Sequence, residues 1–63
     1  MKVKLIRDAE LNCYTDTDDY IIYGKKGEIV EEVTFDKDTN SYIQANEYKG
    51  NIYINKGDCK VVK

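Results

Sequence analysis

The sequence predicts an all-β fold: a single domain over residues 1–63, built as a small barrel or sandwich of about five short antiparallel strands. Three observations carry this. Apolar and polar residues alternate in several short runs, the period of a half-buried strand. Ile, Val, Thr and Tyr gather in those runs, and β-branched and aromatic side chains suit the pleat. Clusters of Gly, Asn, Asp and Lys separate the runs and read as turns. No segment has the length and periodicity of a helix.

Taken in order, Lys2 to Ile6 alternates, with Val3 and Leu5 on one face and Lys2 and Lys4 on the other. Asp8 to Tyr20 contains five acidic residues and no Lys or Arg, with turn chemistry at Thr15-Asp16-Thr17-Asp18-Asp19. It reads as a long irregular arm anchored by Leu11 and Cys13, closed by the apolar piece Tyr20-Ile21-Ile22-Tyr23. Gly24-Lys25-Lys26-Gly27 is a tight turn, since Gly takes positive φ at little steric cost. It feeds the best strand, Glu28 to Phe35. Strict alternation there would bury Glu31, whereas a bulge at Glu31-Glu32 lets Val30, Val33 and Phe35 share a face. Asp36 to Ser41 is a polar turn. Tyr42 to Asn46 alternates with Ile43 and Ala45 expected inward. Asn46 to Asn51 turns through Gly50, Ile52-Tyr53-Ile54 is a strand, Asn55 to Asp58 a tight break, and Cys59 to Val62 the last strand.

A chain of 63 residues buries only about 60% of its unfolded surface, so the core is small. Hydrophobic content of 41% and charged content of 35% place it among globular rather than disordered chains. Cys13 and Cys59 fit no metal or redox spacing. The N-terminus lacks the apolar stretch of a secretory signal, and no run approaches the roughly 20 apolar residues of a membrane span. The expectation is a cytoplasmic protein with both thiols reduced. Abundant Lys, Ile, Asn and Tyr, with no Pro, Trp or His, match AT-rich coding sequence and point to a phage or mobile-element accessory protein.

The order of these elements resembles the Src-homology-3 (SH3) family of small β-barrels. Lys25-Lys26-Gly27-Glu28 is similar to its diverging turn, Ala45 to its small mid-strand core residue, Gly50, Ile52 and Ile54 to the loop and strand before its 3₁₀ turn, and Asn55 to Asp58 to that turn. The resemblance implies an SH3-like barrel. It does not extend to the family's proline-peptide groove. Tyr42 falls where the groove tryptophan belongs, Asn55 where the proline belongs and Asp58 where a tyrosine belongs, and Leu5-Ile6-Arg7-Asp8 lacks the first-strand tyrosines. A polyproline ligand needs parallel aromatic ridges to seat its rings.

Asp36 to Glu47 resembles an EF-hand loop. Asp36, Asp38 and Asn40 occupy the first side-chain ligand positions, Tyr42 would offer its carbonyl, and Glu47 stands at the position of the bidentate carboxylate. Ser41 replaces the glycine of the sharp turn, Gly50 interrupts any exiting helix, and the entry segment is β-branched. A hairpin turn is the expected reading, with calcium binding at residues 36–47 as an alternative.

Catalysis is not expected. The most common general base, His, is missing, the two thiols have no imidazole to activate them, and the acidic residues look solvated. No cofactor is expected. The sequence instead suggests a non-catalytic protein-interaction module. Its face would join Tyr14, Asp16, Asp18 and Asp19 to Tyr42 and Tyr53, aromatic anchors burying area while carboxylates steer a basic protein partner. Tyr42 and Tyr53 are expected on the outward parity of adjacent strands with rings in reach of each other, and Tyr20 or Tyr23 is expected to close one barrel end. The alternative partner is a nucleic acid, on a basic edge where the first and last strands bring Lys2, Lys4 and Arg7 beside Lys56, Lys60 and Lys63. The same lysines also serve to keep an exposed edge from aggregating.

Overall fold

Side-chain parity assembles two antiparallel sheets in the computed structural model, which describes residues Met1–Lys63. β1 (Lys2–Leu5) buries Val3 and Leu5 completely and turns its lysines to the opposite face. It is the middle strand of a three-stranded sheet, between β4 (Ile29–Val30) and β8 (Cys59–Val62). The second sheet has five strands in the order β3 (Asp19–Gly24), β2 (Ala9–Tyr14), β7 (Gly50–Asn55), β6 (Ser41–Asn46), β5 (Val33–Asp36). A 3₁₀ turn, Lys56–Asp58, joins β7 to β8 where the sequence places its tight break, and the Asn55 side chain accepts from the Gly57 N–H at 2.8 Å to start it.

The fold is all-β, as expected, but richer in strands than the five anticipated, and neither hydrogen-bonded sheet closes into a ring. Val3 and Leu5 of β1 and Cys59 of β8 pack against Leu11, Cys13, Val33, Tyr42, Ile52 and Ile54 of the five-stranded sheet. Ala9, Ile22 and Val30 close the margins of this core. The chain crosses between sheets at Glu31-Glu32. The anticipated bulge is therefore a sheet-to-sheet passage, with Glu32 held at φ 55° and the Val33 N–H donating to the Met1 carbonyl at 2.8 Å. Val33 beyond it is buried, Val30 half-buried and Phe35 exposed at its rim.

The segment expected to be an irregular arm is instead a hairpin. β2 and β3 pair over six positions, from Ala9 opposite Gly24 to Tyr14 opposite Asp19. Leu11 and Cys13 do anchor it, but as inward members of an alternating strand. The polar run Thr15-Asp16-Thr17-Asp18 is its loop: the Thr15 N–H donates to the Asp18 carbonyl at 2.8 Å, and the Thr15 hydroxyl oxygen accepts from the Asp18 N–H at 2.8 Å. Short oxygen side chains stabilise such loops by replacing backbone partners.

The two glycines of the next turn have different reasons to be there. Gly27 lies at φ 94°, a conformation the turn requires and other residues resist. Gly24 is buried, and a Cβ there would come 2.6 Å from the Leu5 Cδ1 atom. It is small so that β3 can close over the core.

Candidate functional site

β2 and β7 lie side by side with Asn12 opposite Tyr53 and Tyr14 opposite Asn51. That register sends Asn12, Tyr14 and Tyr53 to the sheet face away from the core. Tyr14 and Tyr53 meet there edge to face, centroids 5.0 Å apart and planes at 89°. Tyr14 is 43% exposed and Tyr53 half-buried. Their shared outer surface is the only one in the molecule where two rings stand together facing solvent, because the other ring pair, Phe35 and Tyr42, includes a buried partner.

Two grooves flank Tyr14. On one side Asn12, Thr39, Ser41 and Asn55 line a neutral polar trough with the two rings. On the other, Asp16, Glu47, Tyr48 and Asn51 line an acidic cleft. Gly50 makes the second cleft possible. It sits at φ 79°, and a Cβ on it would collide with the Tyr14 carbonyl oxygen, so only glycine lets β7 approach β2 this closely. Asn46 fixes the adjoining turn by accepting from the Tyr48 and Lys49 N–H groups at 2.8 and 2.9 Å, and the Tyr20 hydroxyl ties β3 to the same turn through the Lys49 carbonyl at 2.6 Å.

The carboxylates Asp16, Asp18 and Asp19 all lie exposed at the β2–β3 loop, next to Tyr14, and none forms an ion pair within the chain. The one intramolecular salt bridge is elsewhere, Arg7 to Asp58 at 3.1 Å. Of the six residues the sequence groups, Tyr14, Asp16, Asp19 and Tyr53 lie on the outer side of the sheet, whereas Asp18, paired with Thr15, takes the other side of the loop. Glu47 and Asn12, which the sequence does not single out for this face, line the grooves beside Tyr14.

Tyr42 does not belong to this face. It is 9% exposed, packed on Phe35 with centroids 5.1 Å apart, and points into the core. The hairpin register explains it: Tyr42 stands opposite Ile54 and Gln44 opposite Ile52, so they share the inward parity of those isoleucines, while Ile43 and Ala45 face outward. The expectation of Ile43 and Ala45 inward is corrected accordingly. Tyr20 and Tyr23 close no barrel end either; they are 38% and 74% exposed.

Asp36 to Glu47 forms no EF-hand. Its first half is the turn between β5 and β6, and β6 then carries the chain away from it. At about 3.3 Å per residue, the six residues of β6 hold Glu47 roughly 20 Å from the turn. The Asp36 carboxylate accepts from the Asp38 N–H at 3.2 Å and the Thr39 hydroxyl at 2.8 Å, which are hairpin-turn bonds.

The basic residues form a face rather than an edge. Lys4 and Lys60 stand directly opposite each other on β1 and β8, with Lys2 on the same side of β1. Arg7 is occupied by the Gly57 carbonyl and Asp58, and Lys56 lies over the Phe35 ring, 5.6 Å from its centroid. Both thiols are free and buried; burial pushes each pKa up, and the Asp58 charge raises that of Cys59 further. Such thiols are poor nucleophiles. No helix is long and apolar enough to cross a membrane. Comparison with protein-family models, curated proteins and solved structures finds no match to this chain.

Proposed function

We propose that this chain is a non-catalytic protein-interaction module whose binding surface is the outer face of the five-stranded sheet, centred on Tyr14 and Tyr53. The observation that carries the reading is the exposed edge-to-face ring pair beside carboxylates with no cation of their own. Rigid aromatic rings supply contact area at little entropic cost, and unpaired carboxylates attract and orient a cationic segment. The partner that fits is a basic peptide segment, with a Lys or Arg side chain laid against Tyr14 and its charge directed to Asp16 and Glu47. Asn12 and Asn55 in the neighbouring trough suit the peptide backbone.

The SH3-like assignment is part of this proposal. The chain order of first strand, acidic hairpin, turn at Lys25 to Glu28, three-stranded meander, 3₁₀ turn and last strand supports it, as does the pairing of first strand with last. The proposed surface shares Asn55 with the positions of that family's peptide groove but leaves out Tyr42 and Asp58. The setting proposed is cytoplasmic, as a phage or mobile-element accessory protein.

Affinity capture from the source cell tests the reading. Asp16→Lys with Asp18→Lys should abolish capture of any partner, and raising salt should weaken it. Undiminished capture by the charge-reversed protein rejects this face.

A second reading has its own observation. Like charges placed directly opposite on neighbouring strands destabilise a sheet, and Lys4 and Lys60 are so placed, with Lys2 beside them and no carboxylate pairing any of the three. A phosphate backbone would relieve that repulsion. Binding of this kind falls steeply with salt and is lost on Lys2, Lys4 and Lys60 substitution; an unshifted nucleic acid in a low-salt gel ends it.

A further inference from the structure

The free edge of β3 has no protection. Exposed edges are normally guarded by shortness, lysine, proline or a bulge. The other edges here follow that rule: β4 has two residues, β5 has four and carries the Lys56-covered Phe35, and β8 has four with Lys60 among them and Lys63 just beyond. β3 has six residues, Asp19-Tyr20-Ile21-Ile22-Tyr23-Gly24, with no Lys, Pro or bulge. It also displays Ile21 at 48% and Tyr23 at 74% exposure.

The hydrogen-bond phase of this strand is fixed by its loop. Thr15 and Asp18 are a directly bonded pair. Bonded and non-bonded pairs alternate along an antiparallel ladder, so Tyr20, Ile22 and Gly24 turn their backbone groups toward β2. Asp19, Ile21 and Tyr23 turn theirs outward, unpaired, at even spacing.

We propose that a second copy of this chain pairs with β3 antiparallel about a two-fold axis through Ile21. In that register Ile21 faces Ile21 of the second copy, and Asp19 faces Tyr23 of the second copy at each end. All three outward N–H and C=O pairs then find partners, and the two five-stranded sheets become one. A two-fold interface must be self-complementary, and the odd-numbered spacing makes this edge so. Tyr20 meets Ile22 of the second copy on the inner face, an aromatic–β-branched cross-strand pair.

Charge favours the same arrangement. β3 leaves the acidic loop of Asp16 and Asp18 and enters the basic turn of Lys25 and Lys26. Reversal of strand direction sets the acidic loop of one copy against the basic turn of the other, twice per dimer. The Lys25 and Lys26 ammonium groups have no ion pair within their own chain; only backbone groups of the two residues are engaged, their N–H groups by the Glu28 and Asp8 carboxylates and the Lys25 carbonyl by the Glu28 N–H. A parallel arrangement would set like against like.

A six-residue ladder is a small interface, below the roughly 1,200 Å² of standard complexes, so association is expected to be weak, with a Kd on the order of 100 µM. Sedimentation equilibrium from about 10 µM to about 1 mM tests it. The wild type should reach a dimer and stop there. Ile21→Lys, at an exposed position, should keep its thermal transition and weaken association at least about tenfold. Lys26→Asp should weaken it also, and adding Asp16→Lys to that variant should restore it. Ile21→Lys leaves the Tyr14–Tyr53 pair in place, so partner capture through that face and self-association fail independently. A wild type monomeric at about 1 mM, a dimer indifferent to Ile21→Lys, or a charge swap without restoration would each overturn the pairing.

Discussion

The Tyr14 ring stands perpendicular to the Tyr53 ring, with 5.0 Å between their centroids, across the junction of β2 and β7. The edge of one ring meets the face of the other, the geometry favoured by the aromatic quadrupole. The contact joins the N-terminal hairpin to the C-terminal meander on the side opposite the core, so it contributes to stability as well as to the proposed binding surface.

A double-mutant cycle separates those contributions. Tyr14→Ala and Tyr53→Ala should each destabilise the domain, and the pair should show a coupling of about 0.5–1.5 kcal/mol in urea unfolding. Neither hydroxyl is engaged by another protein group, so Tyr14→Phe should retain most of that coupling. Purely additive losses would mean the rings merely lie near each other.

Glycine substitutions should rank by what a new Cβ meets. At Gly27, φ is 94° but nothing lies within 4 Å, so Gly27→Ala should cost about 1–2 kcal/mol from backbone conformation alone. At Gly50, φ is 79° and the added carbon also meets the Tyr14 carbonyl, so Gly50→Ala should cost more and disturb the Tyr14 ring. Thermal melts order the two, and tyrosine fluorescence reports the ring. Equal costs would show that β7 can retreat from β2 without loss.

The interior strands β1, β7 and β6 illustrate what alternation can and cannot convey. Val3, Leu5, Ile52 and Ile54 are unambiguous because apolar residues flank polar ones at period two, and all four are buried. Tyr42 is not: its strand offers Tyr42, Ile43 and Ala45, so either parity looks plausible until the register is fixed. The turn does fix it. Asn46 and Gly50 bracket the loop and pair with each other, and stepping back along both strands brings Tyr42 opposite Ile54. The β2–β3 hairpin was obscured in a similar way, because a dense acidic run conceals the inward period of Leu11 and Cys13. The sequence groups Tyr14 and Tyr53 on one face but does not show their contact, since β2 and β7 are distant along the chain and only tertiary pairing sets their register.

Glu32 is the one residue at the sheet crossing held at positive φ, 55°, without being Gly or Asn. A side chain in that region costs about 1–2 kcal/mol through the clash of Cβ with the following carbonyl. Glu32→Gly should relieve it and stabilise by up to about 1 kcal/mol after the greater entropy of an unfolded glycine. Glu32→Val should destabilise, because a β-branched residue tolerates the conformation worst. Urea midpoints in the order Gly, Glu, Val test this; a Glu32→Gly variant less stable than wild type would show that the Glu32 side chain itself contributes more than its backbone strain removes.

The two thiols give the fold a defined response to alkaline pH. Burial raises the pKa of both Cys13 and Cys59, and the Asp58 carboxylate adds to the effect at Cys59. In the unfolded chain these groups ionise near the ordinary thiol value of about 8.5. Between that pH and the raised folded values, the folded chain therefore holds more protons than the unfolded one. Thiol ionisation should leave stability unchanged at neutral pH and lower it as pH climbs above about 8.5. Cys13→Ala with Cys59→Ala lowers stability at pH 7 through lost packing but should flatten the decline between about pH 8.5 and 10. The same burial makes modification by a thiol reagent wait for opening of the structure, so its rate should rise with urea in step with unfolding. Rapid modification of the folded protein, or an alkaline decline unchanged in the double variant, would place the thiols outside the core that encloses them here.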